Sequence, residues 1–398
     1  MAQDERVGCP ADLPRRPIYL DHNATTPVDT RVVQALLPAL GRDFGNPSSA
    51  HAFGAAPRAA MAHARAQVAT LVGARADQIV FTAGGSEADA LAIHGVVRAA
   101  QDRRPDIVPH VVTQTTEHPA VLAACASLER DLGVTVTYLP VDREGLVDPA
   151  AVASALRAQT VLVSLMAANN ETGTLQPVRE VGTITRARGV LLHVDAAQAA
   201  GKVPVDVGSC GADLLTVVGH KMYAPKGVGA LYVAPGVTLR PLVEGGGQER
   251  GLRAGTENVA LAVALGAAAE LARAELATER PAVLAGLRDL LEQQLVTRLP
   301  GRVALNGHRQ RRLPQTLNVS IDGVRGHELL AAVPEVAAST GSACHAGEDS
   351  PSPVLTAMGL GPGRAMGAVR LSLGRWTTAD DVLAAAELLA TAAARSLG

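Results

Sequence analysis

The chain has 398 residues, carries a formal net charge of −2 at pH 7, and is 47% hydrophobic but only 2% aromatic. A nearly neutral chain without a long basic run, and with few aromatic rings to stack on bases, offers nucleic acid no obvious binding surface. It contains no stretch of about 18 uncharged apolar residues, which excludes an obvious transmembrane helix, and its length suits one large domain with a smaller one.

The first twenty residues mix acidic residues with prolines and lack the apolar core of a signal peptide, so we expect a cytoplasmic protein. The four cysteines, Cys9, Cys125, Cys210 and Cys344, are far apart in the chain. This spacing fits neither a disulfide framework nor a CxxC metal site. We therefore expect reduced thiols and no bound metal.

Between residues 55 and 260, short apolar runs alternate with helical patterns. The apolar runs predict strands, and they are QIVF, HVVTQTT, TVTYL, VLVSLM, VLLHVD, LLTVV and GALYV. Runs that are apolar throughout and separated by helices are typical of a mostly parallel sheet covered by helices on both faces. We therefore predict an α/β fold with a large domain over residues 19–260. Ligands of such sheets bind beyond the carboxyl ends of the strands.

Beyond residue 255 the pattern turns helical and then returns to shorter strands. The segments RVAL, TLNVSI and AVRLSLG predict strands, and ADDVLAAAELLATAAARSL predicts a final helix. We expect residues 261–398, together with residues 1–18, to form a smaller α+β domain. The boundary near residue 260 lies inside or beside a long helix.

A glycine-rich turn, Gly84-Gly85-Ser86, lies between a predicted strand and a predicted helix. Glycines let the backbone approach an anion, and a helix N-terminus offers unpaired N–H groups, so this turn is a candidate phosphate site. The alternative is an ordinary turn in which Ser86 and Asp89 form a capping box. Taken alone, the turn favours the capping box.

Polar residues end two later strands. His118 can stack on a flat ring or move a proton, although a lone histidine in a loop is more often a surface residue. Asp195 can hold a ring nitrogen protonated, and Gln198 follows it by one helical turn. Asp195 and Gln198 can also cap the next helix, and the two roles are compatible.

Only three of the 36 basic Lys and Arg residues are lysines, namely Lys202, Lys221 and Lys226. An arginine can replace a lysine in an ion pair but cannot act as an amine nucleophile. Lys221 follows the buried strand pattern ADLLTVV, and burial lowers the pKa of an amine, which makes it nucleophilic near neutral pH. We expect Lys202 and Lys226 to be surface residues.

Two further segments carry candidate site residues. Cys344 lies in ASTGSACHAGEDSPSPVL, whose small residues predict an accessible and flexible loop that can carry a thiol to a substrate. The alternative is an incidental exposed cysteine, and the adjacent His345 either lowers the pKa of the thiol or has no effect. Arg370, on the apolar strand AVRLSLG, can bind a substrate carboxylate, whereas we expect Arg375 to form a structural ion pair.

A buried lysine, a strand-end aspartate, a histidine beside a ring-sized space and a phosphate-binding turn together describe a site for pyridoxal 5'-phosphate (PLP). The chain also resembles the cysteine desulfurases of the class V aminotransferase group, which have the PLP-dependent transferase fold type I. The resemblance runs through YLDHNATTPVDTRV, GNPSSAHAFG, ANNETGTLQPV, GHKMYAPKGVGALYV, GGGQERGLRAGTENV and GSAC.

This resemblance implies a homodimer that converts L-cysteine to L-alanine and holds the sulfur as a persulfide on Cys344. The persulfide would pass to an acceptor such as an iron–sulfur scaffold or a thiolation protein. Lys221 would form the Schiff base and move the α-proton. The other implied roles are ring contacts by Asp195, Gln198 and His118, phosphate contacts by Gly85, Ser86, His220 and the second subunit's Thr256, and substrate-carboxylate contacts by Asn169, Arg370 and Asn23.

The chain also departs from the desulfurase pattern. Val218 stands where many desulfurases have a phosphate-binding serine. The segments LTVVGHK, GGGQER, AGTEN and ACHAGEDSPSPVL are similar to selenocysteine lyases, which release selenium from L-selenocysteine, although Pro119 stands where those enzymes have Asp. The sequence is also compatible with an aminotransferase or elimination lyase that needs no protein thiol, and with a non-catalytic scaffold in sulfur-cofactor assembly.

Overall fold

The computed structural model describes residues 7–10, 17–341 and 350–397, so Cys344 and His345 lie outside the described residues. Within those ranges no helix is long and apolar enough to cross a membrane. The helices found there are α1 (Thr30–Leu40), α2 (Ala52–Leu71), α3 (Gly85–Arg103), α4 (Pro119–Leu132), α5 (Pro149–Ala155), α6 (Val178–Ala187), α7 (Val207–Cys210), α8 (Val259–Leu276), α9 (Arg280–Arg298), α10 (Gly326–Ala331), α11 (Pro353–Ala357), α12 (Pro362–Met366) and α13 (Ala379–Leu397). The strands found there are β1 (Ile18–Tyr19), β2 (Ile79–Thr82), β3 (His110–Gln114), β4 (Thr135–Leu139), β5 (Thr160–Met166), β6 (Leu191–Asp195), β7 (Leu214–Val218), β8 (Gly229–Val233), β9 (Val303–Leu305), β10 (Thr316–Ile321), β11 (Val336–Ala337) and β12 (Ala368–Ser372).

A seven-stranded sheet forms the centre of the larger unit, in the order β2-β8-β7-β6-β5-β3-β4. The pairs among β3, β4, β5, β6 and β7 are parallel, whereas β8 pairs antiparallel with both β2 and β7. Every residue of β7 and β8 is buried, which explains why apolar residues run through them without alternation. The predicted mostly parallel sheet is therefore confirmed.

Helices cover both faces of this sheet. Leu215 and Val217 of β7 belong to an apolar cluster with residues of α2 and α8, while Leu214 belongs to a second cluster with residues of α3 and α4. Successive residues of a strand point to opposite faces, so the two clusters lie on the two sides of the sheet. Burial of both faces leaves the carboxyl edge of the strands as the place where a ligand can reach the chain.

A second apolar core surrounds a three-stranded antiparallel sheet with the order β12-β10-β9. Leu291 and Leu295 of α9 and Leu389 of α13 belong to this core. Near the start of the described chain, β1 pairs in parallel with β11, and Ile18 and Leu20 join the same core. The smaller α+β unit is thus assembled from residues near both ends of the chain.

Helix α8 packs with the larger unit, against α1 and α2. Leu265 and Ala269 belong to the apolar cluster of the seven-stranded sheet, and Ala264 and Ala268 cluster with Val32 of α1. A division at residue 260, as the sequence pattern predicted, would separate this helix from its packing partners. We therefore infer that the boundary between the two units lies between α8 and α9, at residues 277–279.

A buried ion pair joins the two units. Arg375, in the loop before α13, lies 2.5 Å from the carboxylate of Asp29 and 2.6 Å from that of Glu275. Asp29 caps α1 by accepting a hydrogen bond from the N–H of Arg31, and its side chain is fully buried. The Arg375 guanidinium also lies 4.1 Å from the centre of the Tyr223 ring. Arg375 therefore forms the structural ion pair that the sequence predicted.

The electrostatic balance at Asp29 favours the ionised form. Burial by itself raises the pKa of Asp29, but hydrogen bonds from Arg31 and the charge of Arg375 outweigh burial, and the pKa lies below its usual value. A carboxyl group whose pKa is depressed by folding stabilises the folded state above its unfolded pKa. That stabilisation is lost as the pH falls through the folded-state pKa.

We expect Asp29→Asn to lower the free energy of unfolding at pH 7 by about 3 kcal/mol, because it removes one carboxylate from a buried arginine. Urea denaturation at pH 7 and at more acidic pH measures this, and the difference from wild type should shrink as the pH falls. Asp43→Asn is the control, since it breaks an exposed pair with Arg42 and should leave stability unchanged. Equal stability of Asp29→Asn and wild type at pH 7 would contradict the stabilising role.

Candidate active site

A cavity of about 650 Å³ opens at the carboxyl edge of the seven-stranded sheet, between the two units. The strand ends that reach it come from β5, β6 and β7, which are neighbours in the sheet. Most of the predicted site residues line this cavity, and they are Asn23, Gly85, Ser86, His118, Asp195, Gln198, His220, Lys221 and Arg370. The fold thus brings together residues from widely separated parts of the chain.

Lys221 lies in the short 3-10 turn Gly219–Lys221, which directly follows β7. Its Nζ donates to the backbone oxygen of Asn23 at 2.8 Å and to that of Ala24 at 2.7 Å. The turn needs Gly219, because a β-carbon there would come within 2.9 Å of a Val228 methyl group. The two backbone hydrogen bonds hold the amine at the wall of the cavity.

Asp195 is the last residue of β6, and its buried side chain lines the same cavity. One carboxylate oxygen accepts a hydrogen bond from the N–H of Ala197 at 2.9 Å. Burial raises the pKa of Asp195, while the Ala197 hydrogen bond and the nearby His118 and Lys221 reduce that rise. A carboxyl group in this state readily shares a proton with a basic nitrogen.

His118 caps the N-terminus of α4. Its Nδ1 accepts a hydrogen bond from the N–H of Ala120 at 3.2 Å, so a neutral ring carries its proton on Nε2. Burial lowers the pKa of His118, although the carboxylate of Asp195 opposes this shift. At neutral pH the residue therefore presents a flat, uncharged ring to the cavity.

The turn before α3 has the geometry of an anion site. Gly84 has a φ of 154°, which residues with side chains rarely adopt, and a β-carbon on Gly85 would lie 2.6 Å from a Val218 methyl group. Gly84 is the residue that precedes the helix, so Ser86 stands in the first turn and the alternative capping box with Asp89 is not formed. The first N–H groups of a helix have no partner within it and are available to an anion.

Arg370 is buried, with 2% of its surface exposed, and it lines the cavity from β12. Its terminal nitrogens donate to the backbone oxygens of Asn170 and Gly341 and, at 2.7 Å, to the carboxylate of Asp21. Its Nε has no hydrogen-bond partner among the described residues. The guanidinium is thus held in place by three hydrogen bonds, and its Nε–H is a buried donor without a partner among the described residues.

The two adjacent asparagines after β5 have different surroundings. Asn169 is buried and its side chain holds a turn, accepting from the N–H groups of Glu171 and Thr172 at 2.9 Å and donating to the backbone oxygen of Thr116. Asn170, and not Asn169, lines the cavity. The geometry therefore does not support the predicted substrate contact by the Asn169 side chain, because the turn already uses its polar atoms.

The remaining predicted residues differ in their relation to the cavity. His220 lines it with Nδ1 at 3.2 Å from the hydroxyl of Thr25, and burial, aided by nearby positive charges, lowers the pKa of His220 to about 4. Thr256 is exposed and does not line it. Lys226 is exposed as expected, but the expectation for Lys202 was wrong, since it is half-buried and its amine donates to the buried Gln198.

The sequence did not predict three acidic residues of the cavity, Glu117, Asp89 and Glu171. Glu117 accepts a hydrogen bond from the N–H of Met166 at 2.7 Å, and its other carboxyl oxygen is buried without a partner among the described residues. Burial raises the pKa of Glu117 to about 8, so it is mostly protonated at pH 7. Asp89, considered only as a cap, is buried in the cavity wall, where burial raises its pKa well above the usual value. The position of Glu117 directly before His118 was the available signal.

Comparisons with known proteins agree with this geometry. The profile of the aminotransferase class-V family matches residues 18–384. Over 369 residues the chain is 49% identical to the cysteine desulfurase IscS of Anaeromyxobacter sp. (strain Fw109-5). This alignment covers 92% of this chain and 90% of the relative. Over 375 residues it is 44% identical to the cysteine desulfurase of Mus musculus, covering 94% of this chain and 80% of the relative.

Solved structures show the same fold. A NifS-like protein superposes with a TM-score of 0.85 at 35% identity, covering 94% of this chain and 98% of that one. SspA in complex with cysteine superposes with a TM-score of 0.79 at 35% identity, covering 90% and 99% respectively. With the strand-end lysine and aspartate in one cavity, the chain belongs to the aminotransferase class-V family and, within it, to the cysteine desulfurases, which in general depend on PLP.

Proposed function

We propose that this protein binds PLP and removes sulfur from L-cysteine, giving L-alanine and a persulfide on Cys344. The observation that carries the proposal is that Asp195, at the end of β6, and Lys221, in the turn directly after the neighbouring strand β7, line one cavity. A Schiff-base amine and a carboxylate partner for the pyridinium nitrogen are the protein groups that PLP chemistry uses. The desulfurase names of the relatives support the same reaction.

The residues of the cavity fit the cofactor. A volume of about 650 Å³ is enough for PLP and a small amino acid. The N–H groups at the start of α3, with Ser86 and His220, would bind the phosphate, and Gly85 keeps the backbone close to it. His118 would lie against the ring, and the raised pKa of Asp195 suits a shared proton with the ring nitrogen.

Substrate binding would depend on Arg370. It lines the cavity from β12, and a guanidinium pairs with a carboxylate more specifically than any other side chain does. Asn23 lines the cavity beside it, but its side-chain Nδ2 donates to Thr316 at 2.8 Å and its Oδ1 accepts from Gln315 at 3.3 Å. We propose Arg370 as the main carboxylate contact and Asn23 as a wall of the site.

Bound PLP would supply an electron sink for the α-carbon of the substrate. Lys221 would take the α-proton, since its amine lies at the cavity. The backbone oxygens of Asn23 and Ala24 can accept hydrogen bonds from the protonated amine. The Cys344 thiolate would attack the substrate sulfur, so that an S–S bond forms and the C–S bond breaks. The electron pair of that bond goes to the β-carbon, which gains a proton to give alanine. The thiol is oxidised to a persulfide while the β-carbon is reduced, so the step needs no outside oxidant.

A selenocysteine lyase is the second candidate. The segment ACHAGEDSPSPVL resembles those enzymes, and Pro353 and Val354, which lie within it, line the cavity. In a desulfurase the persulfide sulfur would go on to an acceptor protein in the cytoplasm, such as an iron–sulfur scaffold or a thiolation protein. A lyase would release selenide without needing such a carrier.

An exposed apolar patch supports a homodimer. Phe44 and Phe53 are two of the three phenylalanines in the chain, yet they are 70% and 65% exposed, with ring centres 5.7 Å apart. Leu37 and Leu40 of α1 are 55% and 65% exposed. Exposed apolar side chains in such a group mark an interface. We propose that a second copy covers this patch, and that the exposed Thr256 reaches the cavity of that copy.

We expect the purified protein to release alanine from L-cysteine, faster with a reducing thiol that clears the persulfide. Cys344→Ser should keep the visible absorbance of bound PLP but lose turnover by at least about a hundredfold, because it removes the nucleophile. Lys221→Ala should lose both the absorbance and the turnover, while the control Cys9→Ser should match wild type. Alanine is measured from L-cysteine and L-selenocysteine side by side.

Three outcomes of these assays would contradict the proposal. Turnover of L-selenocysteine alone would identify a lyase. Undiminished cysteine turnover by Cys344→Ser would identify a PLP enzyme that needs no protein thiol. A colourless protein that releases no alanine from either substrate would favour a non-catalytic scaffold.

Val218→Ser is expected to bind PLP about tenfold more tightly, because its hydroxyl can donate to the phosphate where a methyl group now faces Gly85. Titration of the apoprotein with PLP, followed by absorbance, measures the affinity. Val218→Ala is the matched control, since it opens the same space without adding a donor. Equal affinities of the two variants would show that space, rather than a hydrogen bond, limits phosphate binding.

The double variant Phe44→Asp/Phe53→Asp is expected to sediment as a monomer, because two carboxylates would be buried in the proposed interface. Analytical ultracentrifugation measures this against wild type, which should be a dimer. Val283→Asp is the control, since Val283 is 45% exposed on α9 in the smaller unit. A dimer of unchanged stability in the double variant would place the interface elsewhere.

A further inference from the structure

Lys202 is a lysine that the proposed reaction does not use. It follows β6 in a turn that also carries Gln198, and its Nζ donates to Gln198 Oε1 at 2.6 Å. Burial lowers the pKa of Lys202 well below its usual value, and the positive charges of Lys221 and Arg370 lower it further. A chain that uses arginine at almost every basic position thus keeps an amine behind its candidate active site.

The other end of the Gln198 amide is also fixed. Its Nε2 donates to the backbone oxygen of Asn23 at 2.9 Å, and the same oxygen accepts from Lys221 Nζ at 2.8 Å. An amide has two N–H donors and one oxygen. Lys202 holds the oxygen on its own side and the oxygen of Asn23 accepts from one N–H, so the second N–H and one lone pair of the oxygen remain. Gln198 lines the cavity, and with its oxygen held toward Lys202 the amide is oriented to offer its free N–H there as a donor.

The surroundings of Lys202 include a small cavity and several charged groups. A small cavity of about 40 Å³ lies behind it, large enough for water to solvate a buried amine. Glu275 borders this cavity but lies 2.6 Å from Arg375, and His22, whose pKa burial lowers to about 4, is neutral near pH 7. The titratable and charged groups that face Lys202 or its cavity are Lys221, Arg370, His22, Tyr223, Glu275, Arg280 and Arg375.

We infer that Lys202 is a positioning residue that makes Gln198 a hydrogen-bond donor toward the ring oxygen of the cofactor. The inference rests on the proposed PLP function. The ring of PLP carries an ionisable oxygen, and a donor that cannot turn into an acceptor favours the ionised form of that oxygen. Without Lys202, the oxygen of the Gln198 amide loses its hydrogen-bond donor. The amide can then rotate, and its N–H is no longer held toward the ring oxygen.

The test compares the holoenzyme forms of wild type, Lys202→Met, Gln198→Ala and the Lys202→Met/Gln198→Ala double variant, with Lys226→Met as the matched surface control. The readout is the pH midpoint of the visible absorbance change of bound PLP. We expect Lys202→Met to raise this midpoint by about one pH unit, equivalent to about 1.4 kcal/mol, because the ionised ring oxygen loses a hydrogen-bond donor. Lys226→Met should leave it unchanged.

The double variant decides whether Lys202 acts through Gln198. We expect Lys202→Met to add no further shift in the Gln198→Ala background, because the donor is already gone. An equal shift in both backgrounds would mean that Lys202 acts on the cofactor through its charge, which would overturn the positioning role. A Lys202→Met midpoint equal to that of Lys226→Met would overturn any role at the site.

Two further observations keep the result unambiguous. If Lys202→Met does not fold, as judged by circular dichroism, Lys202→Arg is used instead and should keep the midpoint of wild type, because a guanidinium also donates to Gln198. A midpoint in Lys202→Arg that moves as far as in Gln198→Ala would overturn the inference. A wild-type protein without visible absorbance would refute PLP binding itself, and the inference with it, so the two failures are distinguishable.

Discussion

The candidate site depends on the hydrogen bonds that meet at Asn23. Its backbone oxygen accepts from Lys221 at 2.8 Å and from Gln198 at 2.9 Å, and both donors line the cavity. Its side chain donates to Thr316, and its own N–H donates to Ser372, on two strands of the smaller unit. Because one residue holds the amine of the larger unit and two strands of the smaller one, a shift of either unit would move the amine.

A second contact between the units supports the turn that carries Lys221. Tyr223 has a φ of 63°, a conformation that costs a residue with a side chain about 1–3 kcal/mol and persists only where the surroundings enforce it. Its hydroxyl accepts from the N–H of Arg375 at 2.6 Å, and its ring lies against both Arg375 and Trp376. The strained backbone two residues after the lysine is therefore held by the smaller unit.

Patterns in the sequence predicted all seven strands of the central sheet. They also indicated that Asp195 and Lys221 lie close together, because residues at the carboxyl ends of parallel strands meet at one edge of the sheet. The division of the chain was harder, since an alanine-rich helix such as α8 carries no mark of the unit it packs on. The choice between Asn169 and Asn170 depends on hydrogen bonds within a turn, which no periodicity encodes. The partial burial of Lys202 was likewise not predictable, because α8 and α9, which border its cavity, lie far along the chain.

The protonation states around the cavity follow one rule, which is that burial suppresses charges that the protein does not pair. His118 and His220 have lowered pKa values, and the pKa of Glu117 rises to about 8, so near pH 7 these three side chains are mostly neutral. Arg370 forms an ion pair with Asp21 at 2.7 Å. The phosphate of the cofactor would bind at the N-terminus of α3. The carboxylate of the amino acid would bind Arg370. The neutral rings and acids then serve as a weakly polar wall, which strengthens each of those charged contacts.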